Sequence, residues 1–216
     1  MQEAKTGRIV TSERVEGPNS SSLFAMIDDL SRRIRTKFEN VKAGAGSAAA
    51  LLQAPGAKAD EGLDRGLGDV TTSSIDAYRN YAEGINLHER FREAEAATLL
   101  EKAIAIDASF AMAYVKLAVV QNNLGHLDLT DKYAALAIKN ADRLTPRERF
   151  YIEGYYYSLR PATRARALES YKKCVELDSG HQACRHNMAL IFLGLERYQE
   201  SATHYEELVQ IGRAHV

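Results

Sequence analysis

The chain has 216 residues, 45% hydrophobic and 26% charged, with a formal net charge of −1. That balance suits one or two domains and leaves no global field to draw the chain to nucleic acid or an anionic membrane. No apolar run reaches the roughly 20 residues of a membrane-crossing helix. The first residues also lack the apolar centre of a signal peptide, and Cys174 and Cys184 are too few for a disulfide framework.

From the N-terminus, Gly7 to Pro18 alternates apolar and polar residues and stops at Gly17-Pro18, the pattern of one strand. Leu23, Ile27, Leu30, Ile34, Phe38 and Val41 then form an apolar stripe at helical spacing, with Asn19-Ser20-Ser21-Ser22 as potential N-caps. One strand and one helix cannot make a domain, because the strand edges stay unpaired. Residues 1–41 are therefore expected to be the strand–helix remnant of a truncated α/β module. Residues 42–72 are rich in glycine and alanine and broken by Pro55, as in a flexible linker. Within them, Gly44-Ala45-Gly46-Ser47-Ala48-Ala49 loosely matches a dinucleotide loop. It follows a helix rather than a strand, so no cofactor is expected. The sequon Asn19-Ser20-Ser21 is of a kind that chance supplies often.

From residue 73 the chain repeats itself. Small residues recur at Gly84, Ala118, Gly154 and Ala189, and again at Ala96, Thr130, Ala167 and Ser201. Two further sets are Leu100, Ala134, Tyr171 and Tyr205, and Ala103, Ala137, Cys174 and Leu208. The spacing is about 34 residues, the period of a helix–turn–helix unit. It predicts units near 77–110, 111–144, 147–181 and 182–210. A small side chain at a helix crossing lets two backbones approach. Bulky Tyr114, Phe150, Tyr171 and Tyr205 would fill the space between hairpins. Thr145-Pro146-Arg147-Glu148 offers an N-cap, a first-turn proline and a capping box. Ser179 with Gln182 offers a second box, and Gly125 a left-handed turn.

These positions resemble the tetratricopeptide repeat family over residues 73–210, most closely at 99–107 and 171–178. The chain departs from the family at Ala108 and Ser179, where a helix-ending proline is common, and at Thr130, where alanine is usual. The resemblance implies an all-α solenoid of about four helical hairpins that binds proteins and is not an enzyme. The strand, the helix and residues 69–78 resemble the C-terminal part of bacterial signalling proteins. In those, a small α/β module precedes such repeats in serine/threonine kinases, nucleotide cyclases or winged-helix regulators. That likeness implies a signalling setting. Its alternative is a regulatory tail of a kinase or cyclase whose catalytic domain lies outside this chain. The compartment, cytoplasmic or periplasmic, is left open.

In this family the first helices of successive hairpins line the concave face. Phasing the repeat places Tyr78, Tyr81 and Ile85 there, then Val115, Lys116, Val119 and Asn122. Tyr151, Ile152, Tyr155 and Ser158 follow, then His186, Asn187, Leu190 and Leu193. This aromatic and aliphatic blend predicts a protein or peptide partner, with self-association as the second possibility. The family's chaperone-binding members grip a C-terminal carboxylate with lysine, arginine and asparagine. Here Tyr81 and Ile85 stand at the first unit's matching positions, and Lys116 is the main cation. The expectation is an apolar peptide or helix rather than a carboxylate clamp.

Cys174, His181, Cys184 and His186 are of metal-ligand type. Their spacing does not match a compact zinc finger, and Cys174 holds a repeat position usually occupied by buried alanine. Cys174 is expected to be a buried structural cysteine, with no metal. A Cys174–Cys184 disulfide is left to the geometry, since one helix end meets the next helix start there. No serine–histidine–acid or cysteine–histidine set has an assignable geometry. Ile211 to Val216 breaks the repeat and resembles read-through into a sequencing adaptor, so 211–216 is expected to be a non-native tail.

Overall fold

Small residues at the crossings, caps at the starts and left-handed residues at the turns shape a chain of helices. The computed structural model describes residues 72–214 and, before them, residues 26, 27, 29, 30 and 33. The expected strand at 7–18, the linker up to residue 71 and residues 215–216 lie outside the described residues. The five earlier residues are helical, as the apolar stripe there predicts, and Asp29 pairs with Arg33 at 2.7 Å.

Between 72 and 214 eight α-helices follow one another. They are α1 (Ile75–Glu89), α2 (Glu93–Ile106), α3 (Ala111–Asn123), α4 (Leu127–Lys139), α5 (Pro146–Ser158), α6 (Arg164–Leu177), α7 (Gln182–Gly194) and α8 (Tyr198–Ala214). Short 3-10 turns at Ala141–Arg143 and Pro161–Thr163 flank α5. The helices pack pairwise as four hairpins, and α2 on α3, α4 on α5 and α6 on α7 join them. This is a tetratricopeptide-type α-solenoid. No described residue forms a strand, and no described helix is long and apolar enough to cross a membrane.

Local chemistry explains the boundaries. Ser74 caps α1 by accepting the Ala77 N–H at 3.2 Å. Thr145 and Glu148 form both halves of a capping box on α5. Gly125 turns α3 into α4 at φ 80°, as expected for a residue without a Cβ. Phe91 and Glu196 make the corresponding turns at φ 60° and 59° with no glycine to ease them. The Ser179–Gln182 box does not form. Asp178 winds that turn itself, its Oδ1 accepting the Gly180 N–H at 3.0 Å, and His181 becomes the N-cap of α7.

The core runs along the array through wholly buried Leu100, Val115, Leu117, Ile152 and Tyr171. Gly154 is required by a close approach: a Cβ there would stand 2.5 Å from the Tyr171 ring. Thr130 is buried without penalty, because its hydroxyl donates to the His126 carbonyl at 3.1 Å. Ser201 solves the same problem across its hairpin, donating to the Ala189 carbonyl at 2.9 Å. At the C-terminal end, α8 continues through Ile211 to Ala214, where the sequence pattern suggested a break.

Candidate functional site

Because first helices alternate with second helices, α3, α5 and α7 lie side by side and frame one groove. It has a volume of about 580 Å³. Lys116, Val119 and Asn122 come from α3, and Tyr151, Tyr155 and Ser158 from α5. His186, Asn187 and Leu190 come from α7. Seven of the residues proposed from the sequence as its core set therefore meet: Lys116, Val119, Asn122, Tyr151, Tyr155, His186 and Leu190.

The structure places the others elsewhere. Val115 and Ile152 are wholly buried and belong to the core beneath the groove, so no partner can touch them. They sit on the first helices, but on the side that the neighbouring helices cover. Tyr78, Tyr81 and Ile85 do not line the groove. Tyr81 is instead drawn onto Phe110, ring centroids 4.9 Å apart, and packs against the first joint between hairpins. Burial raises its hydroxyl pKa far above the ordinary phenol range. Leu193 is 47% exposed but likewise outside the lining.

Repeat phasing missed His88, Asn123 and Arg164, which do line the groove. His88 and Asn123 stand at helix ends. Both bind Glu93, through His88 Nδ1 at 2.9 Å and the Asn123 amide at 2.7 Å, which ties the first hairpin to α3. Arg164 opens a second helix, whereas phasing drew the concave face from first helices alone. Its guanidinium reaches towards Gly194 at the end of α7. The basic charge expected from Lys116 is thus doubled.

The groove's electrostatics follow from this set. None of its lining residues is acidic. Among the described residues Lys116 and Arg164 form no ion pair. Lys116 holds its ammonium 5.3 Å from the Tyr151 ring centroid, a cation–π contact. Tyr151 and Tyr155 form a floor, 3% and 8% exposed. Burial first, then neighbouring Tyr151, pushes the Tyr155 hydroxyl far above the usual phenol range, and that hydroxyl has no hydrogen-bond partner. Asn187 is held in place by donating to the Tyr171 hydroxyl at 3.0 Å.

Next to the floor, Cys174 and Cys184 are joined as a disulfide, with Cα atoms 6.6 Å apart and both residues wholly buried. The burial expected of Cys174 holds, and geometry selects the bridge that spacing left open. His181 packs its ring 5.5 Å from Tyr151. Burial lowers its pKa, and its Nδ1 accepts the Cys184 N–H at 3.2 Å, so the ring is a neutral imidazole with its proton on Nε2.

No protein-family model and no curated protein matches the chain. Solved structures resemble it. The tetratricopeptide protein TTC0263 of Thermus thermophilus is 16% identical, over 62% of this chain and 74% of that one, with a TM-score of 0.49. MamA residues 41 to the end from Desulfovibrio magneticus RS-1 is 17% identical, over 64% and 77%, with a TM-score of 0.42. A MamA RS-1 double mutant is 18% identical, over 65% and 77%, with a TM-score of 0.40. Likeness of this degree carries no argument. The fold stands on the chain's own hairpins and their period.

Proposed function

We propose that the chain is a protein-interaction scaffold, not an enzyme, and that a peptide or helix of a partner protein lies in the groove across α3, α5 and α7. The observation that carries this reading is the groove itself, about 580 Å³ in volume, lined by three successive first helices and free of acidic side chains. Val119, Leu190 and Ile191 offer apolar contact above the largely buried floor of Tyr151 and Tyr155. Lys116 and Arg164 favour an occupant that adds an acidic side chain to its apolar face. The setting in a larger bacterial signalling protein remains a proposal that rests on the resemblance of residues 1–78.

A peptide array of amphipathic sequences, probed with the whole chain, tests the reading. Binding of the selected peptides should weaken at least about tenfold with Leu190→Asp, since a charge then replaces an apolar contact. Tyr198→Ser, at an exposed position outside the groove, should leave it unchanged. Peptides that bind both variants equally would place the site elsewhere.

A further inference from the structure

The Cys174–Cys184 pair is not used by the groove reading, and an internal comparison shows what it adds. Cys174 holds the repeat position of Ala103, and Cys184 stands five residues before Ala189 as Ala113 stands five before Ala118. At the first joint Ala103 and Ala113 are wholly buried in one cluster with Phe110. The backbone therefore closes this kind of joint with two alanines. Sulfur is not needed there for packing, so what the cysteines add is a bond.

That bond sits where it can act on the groove. Cys184 lies on α7, which also carries Ala183, His186, Asn187 and Leu190 into the groove wall. Cys174 lies on α6, in the hairpin that supplies Tyr151 and Tyr155 through α5. His181 connects the two layers, capping α7 at Cys184 and resting against Tyr151. The connection between the cysteines is short, and its Ser179 and Gly180 are exposed. A reductant reaches the buried sulfurs only when this turn opens locally.

We propose that Cys174–Cys184 is a reversible thiol–disulfide site that sets how firmly α7, one wall of the groove, is held to the third hairpin. Its chemistry is independent of the proposed function; its consequence for binding rests on that reading. The reductant is a dithiol. One of its thiolates attacks a cysteine sulfur, forming a mixed disulfide and releasing the other cysteine as a thiolate. Its second thiol then displaces the first cysteine. The protein gains two electrons and two protons, and the reductant leaves as its own disulfide. With the bond open, α7 keeps its helix but loses its covalent tie to α6, and the groove wall loosens.

The two sulfurs and a His181 nitrogen lie within 4.8 Å of one another, a spacing that would also suit a soft cation in the reduced protein. His181 weighs against that use. Coordination through Nδ1 takes the lone pair that caps α7, and coordination through Nε2 moves the proton to Nδ1 and breaks the same bond.

Hydrogen exchange on the whole chain tests the proposal in three arms: oxidised, reduced with dithiothreitol, and the C174A/C184A variant, which the first joint shows can pack. On reduction, α7 amides should exchange at least about tenfold faster while α3 amides stay unchanged. Cysteine alkylation should require reduction, and reoxidation should restore protection. The double variant should match the reduced protein and ignore dithiothreitol. Equal α7 exchange in all three arms overturns the proposal. So does protection regained when zinc ion is added to the reduced protein, which would make the cluster a metal site. An array-selected peptide titrated in both redox states reads the consequence. Equal affinity overturns control of the groove, whereas failure of every peptide in both states sinks the groove reading and leaves the exchange result standing.

Discussion

Where the first hairpin hands over to the second, Asp107 winds the turn by accepting the Ser109 N–H at 2.9 Å, and Phe110 rests on Tyr81. Where the third hands over to the fourth, Asp178 accepts the Gly180 N–H at 3.0 Å, and His181 rests on Tyr151. The backbone solution is the same, and the side chains differ in kind. Alanine, phenylalanine and alanine close the first joint by shape alone. Cysteine, histidine and cysteine close the third with a bond and a titratable cap, directly beside the groove. The repeat thus fixes geometry while leaving chemistry free at each copy, and this chain places its reactive groups at the joint where they border the candidate binding surface.

The largest expected effect concerns how tightly each hairpin is crossed. A Cβ at Gly154 would meet the Tyr171 ring at 2.5 Å, whereas one at Gly84 would stand 3.0 Å from the Leu100 side chain, a looser approach to an equally buried neighbour. Gly154→Ala should cost about 1–2 kcal/mol, because overpacking outweighs the gain in helix propensity. Gly84→Ala should stay within about 0.5 kcal/mol, since overpacking and propensity nearly cancel there. Denaturant unfolding of the two variants checks this, and equal losses would break the distinction between the hairpins. Tyr171 also accepts the Asn187 hydrogen bond, so Gly154→Ala should weaken peptide binding as well.

A smaller effect separates the turns within the hairpins. Phe91 adopts φ 60° while 89% exposed, so it strains the backbone and contributes little packing. Phe91→Gly should raise stability by up to about 1 kcal/mol. The third hairpin uses Pro161–Thr163 instead, where the described residues show no positive φ to relieve. An unchanged unfolding midpoint for Phe91→Gly would mean that the turn is unstrained or that the exposed ring packs.

The smallest effect is a pH dependence confined to the third joint. Burial lowers the folded pKa of His181, opposed by Asp178 and aided by Arg147 and Lys116. The folded protein then binds this proton less readily than the unfolded chain, whose histidine titrates near about 6.5. The stability it contributes is complete above that value and is lost as pH falls through the folded pKa. Melting temperatures compared above and below about pH 6.5 should fall less for His181→Phe, which copies Phe110 of the first joint, than for the unaltered chain. An equal fall in both would show that other groups carry the acid sensitivity.

Much of the fold was legible because packing at a fixed period selects residue size. Gly84, Ala118, Gly154 and Ala189 announce the crossings, and Thr145 with Glu148 announces a helix start. Local rules failed where another local bond won, as when Asp178 took the turn and left His181, not Ser179, to cap α7. They also failed where strain was tolerated, as at Phe91 and Glu196. The groove was legible in part. Phasing names the helix face, and so found Lys116, Val119, Asn122, Tyr151, Tyr155, His186 and Leu190. It cannot say how deep a neighbour covers that face, which is why Val115 went to the core and Tyr81 to the first joint.

The sequence by itself determined the period, the hairpins and the helix faces, because each depends on residues within one repeat length. Tertiary structure decided what lies between repeats. It brought Arg164 from a second helix to the groove, left the groove without an acid, and set Cys174 against Cys184. Those outcomes depend on the rotation and approach of successive hairpins, a sum over many packed side chains that no single stretch of sequence encodes.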